Sequence, residues 1–447
     1  MRKDVDMLRG PLLPAVIRYT IPIILTSVLQ LLFNAADLVV VGRFCGSNSV
    51  AAVGNTSSLI HLFTNLFIGL SVGVGVSVAQ GLGAKDSQMV HRTVHSSMPL
   101  ALVGSVILTA LGIGLSGPML RLMGTPEEVL PLSALYMKIY FGGITFSMIY
   151  NFCAAILRAA GDTKSPLIYL TLAGFINVGL NLVFVTVLHM DVAGVAWATT
   201  ISQGVSAVLV AGTLMRRRDD CRLELKKMRF YKIPLIKTLQ IGVPAGLQSS
   251  LFAISNVIIQ SSINSFGALV MAGSAAANNV EGFVYVSMNA FHQTALNFTG
   301  RCVGAGDRGR VKKVLATCLG CVALLGVSVG VLGRLFAPQL LSMYLTDAPD
   351  AIRYGEIRMT YIMLTYAICG MMDVSTGSLR GMGVSLTPTL ISIFGVCGLR
   401  IGWITTVFQI PQFHTPESLY ISYPISWVLT FAAQIIAFSI FYKRKKQ

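Results

Sequence analysis

Asp37 stands inside a long apolar stretch, where an ionised side chain costs about 2.5 to 3.5 kcal/mol on insertion scales, so a carboxyl there calls for a chemical role or a partner. Polar residues that could supply one recur at matching depth. Asn177 and Asn181 are spaced i,i+4 and share a helical face. Asn181 falls about seven residues from the far end of its stretch, Thr199 about seven residues into the next, and Asp37 about four residues from the corresponding end of the first. Asn34 lies one turn below Asp37. Amide and hydroxyl oxygens around a single carboxylate suit one proton or one Na⁺ better than a divalent ion. Asp37, Asn34, Asn177, Asn181 and Thr199 are thus a candidate coupling set. In a second reading they are polar glue between helices.

The second half of the chain carries different groups. Glu281 lies in the middle of its apolar stretch, Asp373 about two turns from the inner end of another, and Arg400 midway along a third. Arg400 stands at a depth that allows pairing with Glu281, and an isolated buried arginine would be the costlier state. Counted together, the three residues leave one net negative charge, which would attract a cationic substrate or carry a second ion. His61 and His292 read as packing residues rather than cavity groups.

Enzymatic motifs are not supported. His91 and His95 are spaced i,i+4, but no glutamate follows the first histidine as a zinc protease requires. They read as solvated or headgroup-facing residues. Gly69, Gly73, Gly75, Gly81 and Gly83 lack the Lys-Ser or Lys-Thr pair of a phosphate loop and read as close packing between helices. Cys318 and Cys321 form a CxxC inside an apolar stretch and read as small packing residues. No enzyme, cofactor or resident metal is implied, with Na⁺ at Asp37 the one candidate ion.

The elements that must position these residues follow from composition. The chain is 54% apolar with a mean hydropathy of +0.71 and 12% charged residues, against about 25% charged in an ordinary soluble domain. Spans of about 20 apolar residues are needed to cross a bilayer. They fall roughly at 14–41, 50–79, 94–117, 130–156, 166–188 and 192–214, then at 236–264, 269–299, 313–336, 352–378, 388–409 and 419–441. The expectation is an all-α membrane protein of twelve spans: a first lobe over 1–214, a basic linker over 215–235 and a second lobe over 236–447. The charged start, Met1 to Arg9, precedes a stretch too long for a signal-peptide core, which stays as the first span. Placing the N-terminus in the cytoplasm puts 27 of the 34 Lys and Arg residues on that side. This bias predicts that both termini are cytoplasmic. The net charge of +16 is then explained by anionic lipid headgroups, without a nucleic-acid partner.

The chain is also written twice. Leu157, Arg158, Gly161 and Pro166 return 222 positions later as Leu379, Arg380, Gly383 and Pro388. Pro22 is answered by Pro244, and Gly83-Ala84-Lys85-Asp86 by Gly304-Ala305-Gly306-Asp307. Six spans per half is an even number, so the repeat is expected to be parallel, about an axis along the membrane normal. Arg158 and Arg380 are expected to complement the carbonyl ends of their helices, each before a glycine and proline that turn the chain.

The order Pro22, Gln30, Asn34, Asp37, Gly42-Arg43, then Gly83-Ala84, then Leu157-Arg158 with Gly161 and Pro166, and its return in the second half, resembles the multidrug and toxic compound extrusion (MATE) family over essentially the whole chain. The resemblance implies two six-helix lobes forming a V around a central cavity, and export of drugs or other organic, cationic compounds in exchange for H⁺ or Na⁺. The pocket around Asp37 is similar to that of the DinF-like branch, where an aspartate on the first span faces an Asn-x-x-x-Asp pair on the fifth and a threonine on the sixth. Here Asn181 replaces the second acid, leaving Asp37 as the sole acid of that site. The expected partners are small organic molecules, H⁺ or Na⁺ and membrane lipids. The expected state is a monomer in a bacterial cytoplasmic membrane. The alternatives are a lipid-linked oligosaccharide flippase, disfavoured by the few basic residues within the spans, and a non-transporting scaffold.

Overall fold

The computed structural model describes residues 4–345 and 348–444, and helix is the regular structure throughout them. A helix satisfies its own backbone hydrogen bonds, which hydrocarbon cannot do for it. The first half contains α1 (Leu12–Phe44), α2 (Ser47–Gly83), α3 (Ser87–Leu122), α4 (Leu130–Gly142), α5 (Ile144–Ala160), α6 (Lys164–Leu182) and α7 (Asp191–Met215). The second contains α8 (Lys232–Asn264), α9 (Ala268–Gly304), α10 (Arg308–Leu335), the short α11 (Ala337–Ser342), α12 (Pro349–Met363), α13 (Tyr366–Gly381), α14 (Leu386–Ser392), α15 (Leu399–Thr405) and α16 (Pro416–Arg444). A π-helical turn, Val183–Val187, extends α6, and a second, Ile393–Gly398, joins α14 to α15. Of the basic residues counted above, Arg2, Lys3, Lys445 and Lys446 lie outside the described residues.

Among the described residues, nine spans are long and apolar enough to cross a membrane, and two more do so as bent pairs. The remaining long rod is α9, with 37 residues, whose Asn278, Asn279, Glu281, His292, Gln293 and Asn297 make it too polar to qualify by composition. The bent pairs are α4 with α5, at 47°, and α12 with α13, at 44°. Each corresponds to one continuous span expected from sequence. At the first bend lies Gly142-Gly143, where a Cβ on Gly143 would meet Thr200 Cγ2 at 2.2 Å. At the second, the Thr365 hydroxyl donates back to the Tyr361 carbonyl at 2.6 Å, competing with the helical ladder.

The chain forms two compact units, one of residues 1–6 and 25–250, the other of 7–24 and 251–447. The division therefore falls inside α1 and α8 rather than at the basic linker. In the first unit α2 meets the early turns of α8 backbone to backbone. A Cβ on Gly69 would stand 2.3 Å from Gly246 N, and one on Gly73 2.2 Å from Thr238 O. The packing role expected of these two glycines is what the structure shows. In the second unit α9 packs along α10, α12 and α13, and the early part of α1 joins it through Thr20 and Thr294, whose hydroxyls are 2.8 Å apart.

The linker is tied down. Glu224 N–H donates to His95 Nε2 at 3.0 Å, His95 Nδ1 lies 2.7 Å from the His91 carbonyl oxygen, and Tyr231 N–H donates to Ser96 Oγ at 2.9 Å. His95 is fully buried, which corrects the solvated role expected for it. The returning linker thus covers the third turn of α3.

Candidate functional site

In the first unit α1, α6 and α7 bring Asp37, Asn177, Asn181 and Thr199 together. The i,i+4 spacing does its part: Asn181 Nδ2 donates to Asn177 Oδ1 at 3.4 Å, and Asn177 Nδ2 to Thr199 Oγ1 at 3.4 Å. Asn181 Nδ2 also donates to the Asp37 carboxylate, which has the Thr199 hydroxyl as a further partner. Asn181 is fully buried and its Oδ1 has no hydrogen-bond partner. Tyr136 of α4 is buried close enough to feel the Asp37 charge, and its ring stacks with that of Tyr140 at 6.4 Å. Asn34 is not part of this cluster. It is exposed, and among the described residues no hydrogen bond joins it to the other four.

An amide at position 181 donates to the Asp37 carboxyl group, whereas two carboxylates there would repel each other. The cluster thus keeps one acid, and the unpartnered Asn181 Oδ1 beside it can receive a proton donor or a small monovalent cation. Among the described residues no group of three His, Cys, Asp or Glu side chains is arranged to hold a metal.

The second unit encloses a cavity of about 350 Å³ whose wall includes Glu281, Asp373 and Arg400. The pairing of Arg400 with Glu281 does not form. Glu281 is held instead by Arg358 of α12 in a two-pronged ion pair, Nε to Oε1 at 2.9 Å and Nη2 to Oε2 at 2.8 Å. Arg358 further donates to Ser274 Oγ at 2.7 Å and to Asn278 Oδ1 at 3.2 Å. Both charged groups are buried, so this geometry answers the desolvation that would otherwise make each ion expensive. Sequence reasoning missed Arg358. Its signal was the requirement that an acid amid an apolar span have a cation, together with an arginine inside the tenth apolar stretch.

Arg400 is 4% exposed. Its Nε donates to Ser426 Oγ at 3.0 Å, and its guanidinium lies over the Tyr423 ring at 3.9 Å and the Trp427 ring at 5.5 Å. Nη2 is buried without a partner. A desolvated cation–π contact supplies about 2 kcal/mol, less than the several kcal/mol of desolvating an ion.

Asp373 is buried, with the charge of Arg380 as its neighbour, and its carbonyl oxygen lies 2.7 Å from His292 Nδ1. His292 is buried among these polar groups, whereas His61 is exposed.

The duplicated signature has a common backbone form. Arg158 and Arg380 occupy the last turns of α5 and α13. Gly161 and Gly383 follow with φ of 102° and 84°, a conformation glycine adopts without Cβ strain. Pro166 and Pro388 sit in the first turns of α6 and α14, where a missing N–H leaves no helical bond unmade.

The MatE family model matches residues 22–183 and 244–404, one match in each sequence half. A relative described as "Probable multidrug resistance protein YoeA" from Bacillus subtilis is 27% identical, over 96% of this chain and 94% of its own. "Probable multidrug resistance protein NorM" from Thermotoga maritima is 26% identical over 86% and 83%. A solved structure described as "Crystal structure of MATE in complex with MaL6" shares the fold with a TM-score of 0.93 over 100% of both chains at 21% identity. The doubled match agrees with the doubled turn signature and the repeated bend, and on it this chain belongs to the MatE family, a multi-pass membrane transporter.

Proposed function

We propose that this transporter is a secondary antiporter that exports drugs or other organic compounds in exchange for H⁺ or Na⁺, with the Asp37 cluster as its coupling site. The observation that carries this reading is Asp37, the one acid of its cluster, held within a membrane helix by Asn181 beside a buried amide oxygen with no partner. A proton or Na⁺ arriving there neutralises the charge. It can drive rearrangement only through a difference in affinity between two states of the protein, so the charge itself is the lever. The cluster supports a place near the DinF-like branch, modified by Asn181. The cavity of the second unit is the substrate site in this reading; the basic bias supports both termini inside, and the bacterial relatives support a bacterial cytoplasmic membrane.

The test is efflux from proteoliposomes under separately imposed pH and Na⁺ gradients. Asp37→Asn is expected to fold with normal yield and to lose at least about tenfold in gradient-driven efflux, the equivalent of roughly 1.4 kcal/mol. Full efflux that still responds to the gradient would remove Asp37 from the coupling role.

A further inference from the structure

We infer that the cavity of the second unit binds the carboxylate of its substrate at the Arg400 guanidinium, so that the compounds carried include planar aromatic carboxylates as well as cations. This rests on the reading of that cavity as the substrate site.

The acid that would draw a cation there is already occupied. Glu281 is matched by Arg358 through two hydrogen bonds, with Ser274 and Asn278 taking further guanidinium protons. Arg400 is the opposite case. Among the described residues it forms no ion pair, although it is 4% exposed and lines the cavity. A buried cation without a counter-charge is a costly state that a matching anion relieves. Asp373, the other acid of the wall, stands near the charge of Arg380, so the cavity does not present a net negative wall to an entering anion.

Geometry selects the kind of anion. One face of the guanidinium is covered by Tyr423, Trp427 lies 5.5 Å away and Nε is engaged by Ser426; Nη2 is buried without a partner, which leaves Nη1 as the nitrogen on the side of the cavity. Its N–H groups can donate to a planar carboxylate, whose charge also answers that of the buried guanidinium. Tyr366 and Trp427, stacked on each other at 5.5 Å, line the same space and make its wall aromatic, which suits an aromatic body. A volume of about 350 Å³ lies at the small end of ligand sites and suits a bicyclic acid.

The experiment is equilibrium binding to the full chain in nanodiscs, without any gradient, of naphthoate and of its neutral amide, naphthamide. The unaltered protein is expected to prefer naphthoate by about tenfold or more, the scale of one hydrogen bond to a charged group. Arg400→Gln is expected to abolish the preference. Arg400→Lys, which keeps the charge and loses the fork, is expected to reduce it and decides the matter if Arg400→Gln does not fold. Equal affinity for the two probes, no binding of naphthoate, or a preference untouched by both substitutions would each overturn the inference. Because no gradient is used, those outcomes leave coupling at Asp37 standing, and a failure of coupling leaves the binding result standing.

Discussion

At the repeat offset of 222, Tyr136 of the first unit corresponds to Arg358 of the second, and Asn151 to Asp373. Where the second unit has a resident guanidinium clamped on Glu281, the first has a phenol and a carboxylate, Asp37, met by amide and hydroxyl groups. The difference separates two uses of a buried acid. An acid bonded to a fixed cation holds helices together, because its counter-charge cannot leave. An acid bonded to neutral dipoles has no resident counter-charge, and the coupling role proposed for Asp37 rests on that difference.

The largest effect should come from breaking the fixed pair. Arg358→Met leaves Glu281 buried and uncompensated and is expected to lower stability by about 3–5 kcal/mol, read as a fall in the unfolding midpoint of the purified protein. Glu281→Gln combined with Arg358→Met should recover most of that loss. If the single variant unfolded like the parent, the structural reading of this pair would fail, and with it the contrast to Asp37.

A subtler change blurs the contrast from the other side. Asn181→Asp adds a second acid to a cluster that has one, and is expected to move the H⁺ or Na⁺ concentration for half-maximal efflux by about tenfold, since like charges in one site titrate together. An unaltered ion dependence would mean that residue 181 only packs. The smallest effect tests where the units agree. Asp86 and Asp307 each accept the backbone N–H three residues ahead at 2.9 Å, so Asp86→Ala and Asp307→Ala should each cost about 1 kcal/mol. Thermal unfolding showing a clear cost in one and none in the other would deny that the repeat preserved this cap.

Much of this was legible in the chain because helices in a bilayer have a fixed rise. Depth along a span can be counted, and counting brought Asp37, Asn177, Asn181 and Thr199 to one level. Direction around a helix is less secure. Asn34 precedes Asp37 by three residues, which turns it about 60° away at 3.6 residues per turn, and it points out of the cluster. Depth also allowed Arg400 to pair with Glu281, but it could not tell that α12 brings Arg358 to that carboxylate first. Of the two bends, Gly142-Gly143 carries a sequence mark, while Thr365 acts through a side-chain bond that composition does not reveal. The burial of His95 was illegible for a different reason, since it depends on Glu224, 129 residues away.

The polarity of α9 also constrains how the protein is made. A helix bearing Glu281 and several amides partitions poorly into lipid by itself, and the arginine that neutralises it is encoded 77 residues later. At 5 to 20 residues per second, the ribosome needs roughly 4 to 15 s to deliver that partner. For that interval Glu281 is without the guanidinium that answers it in the folded chain.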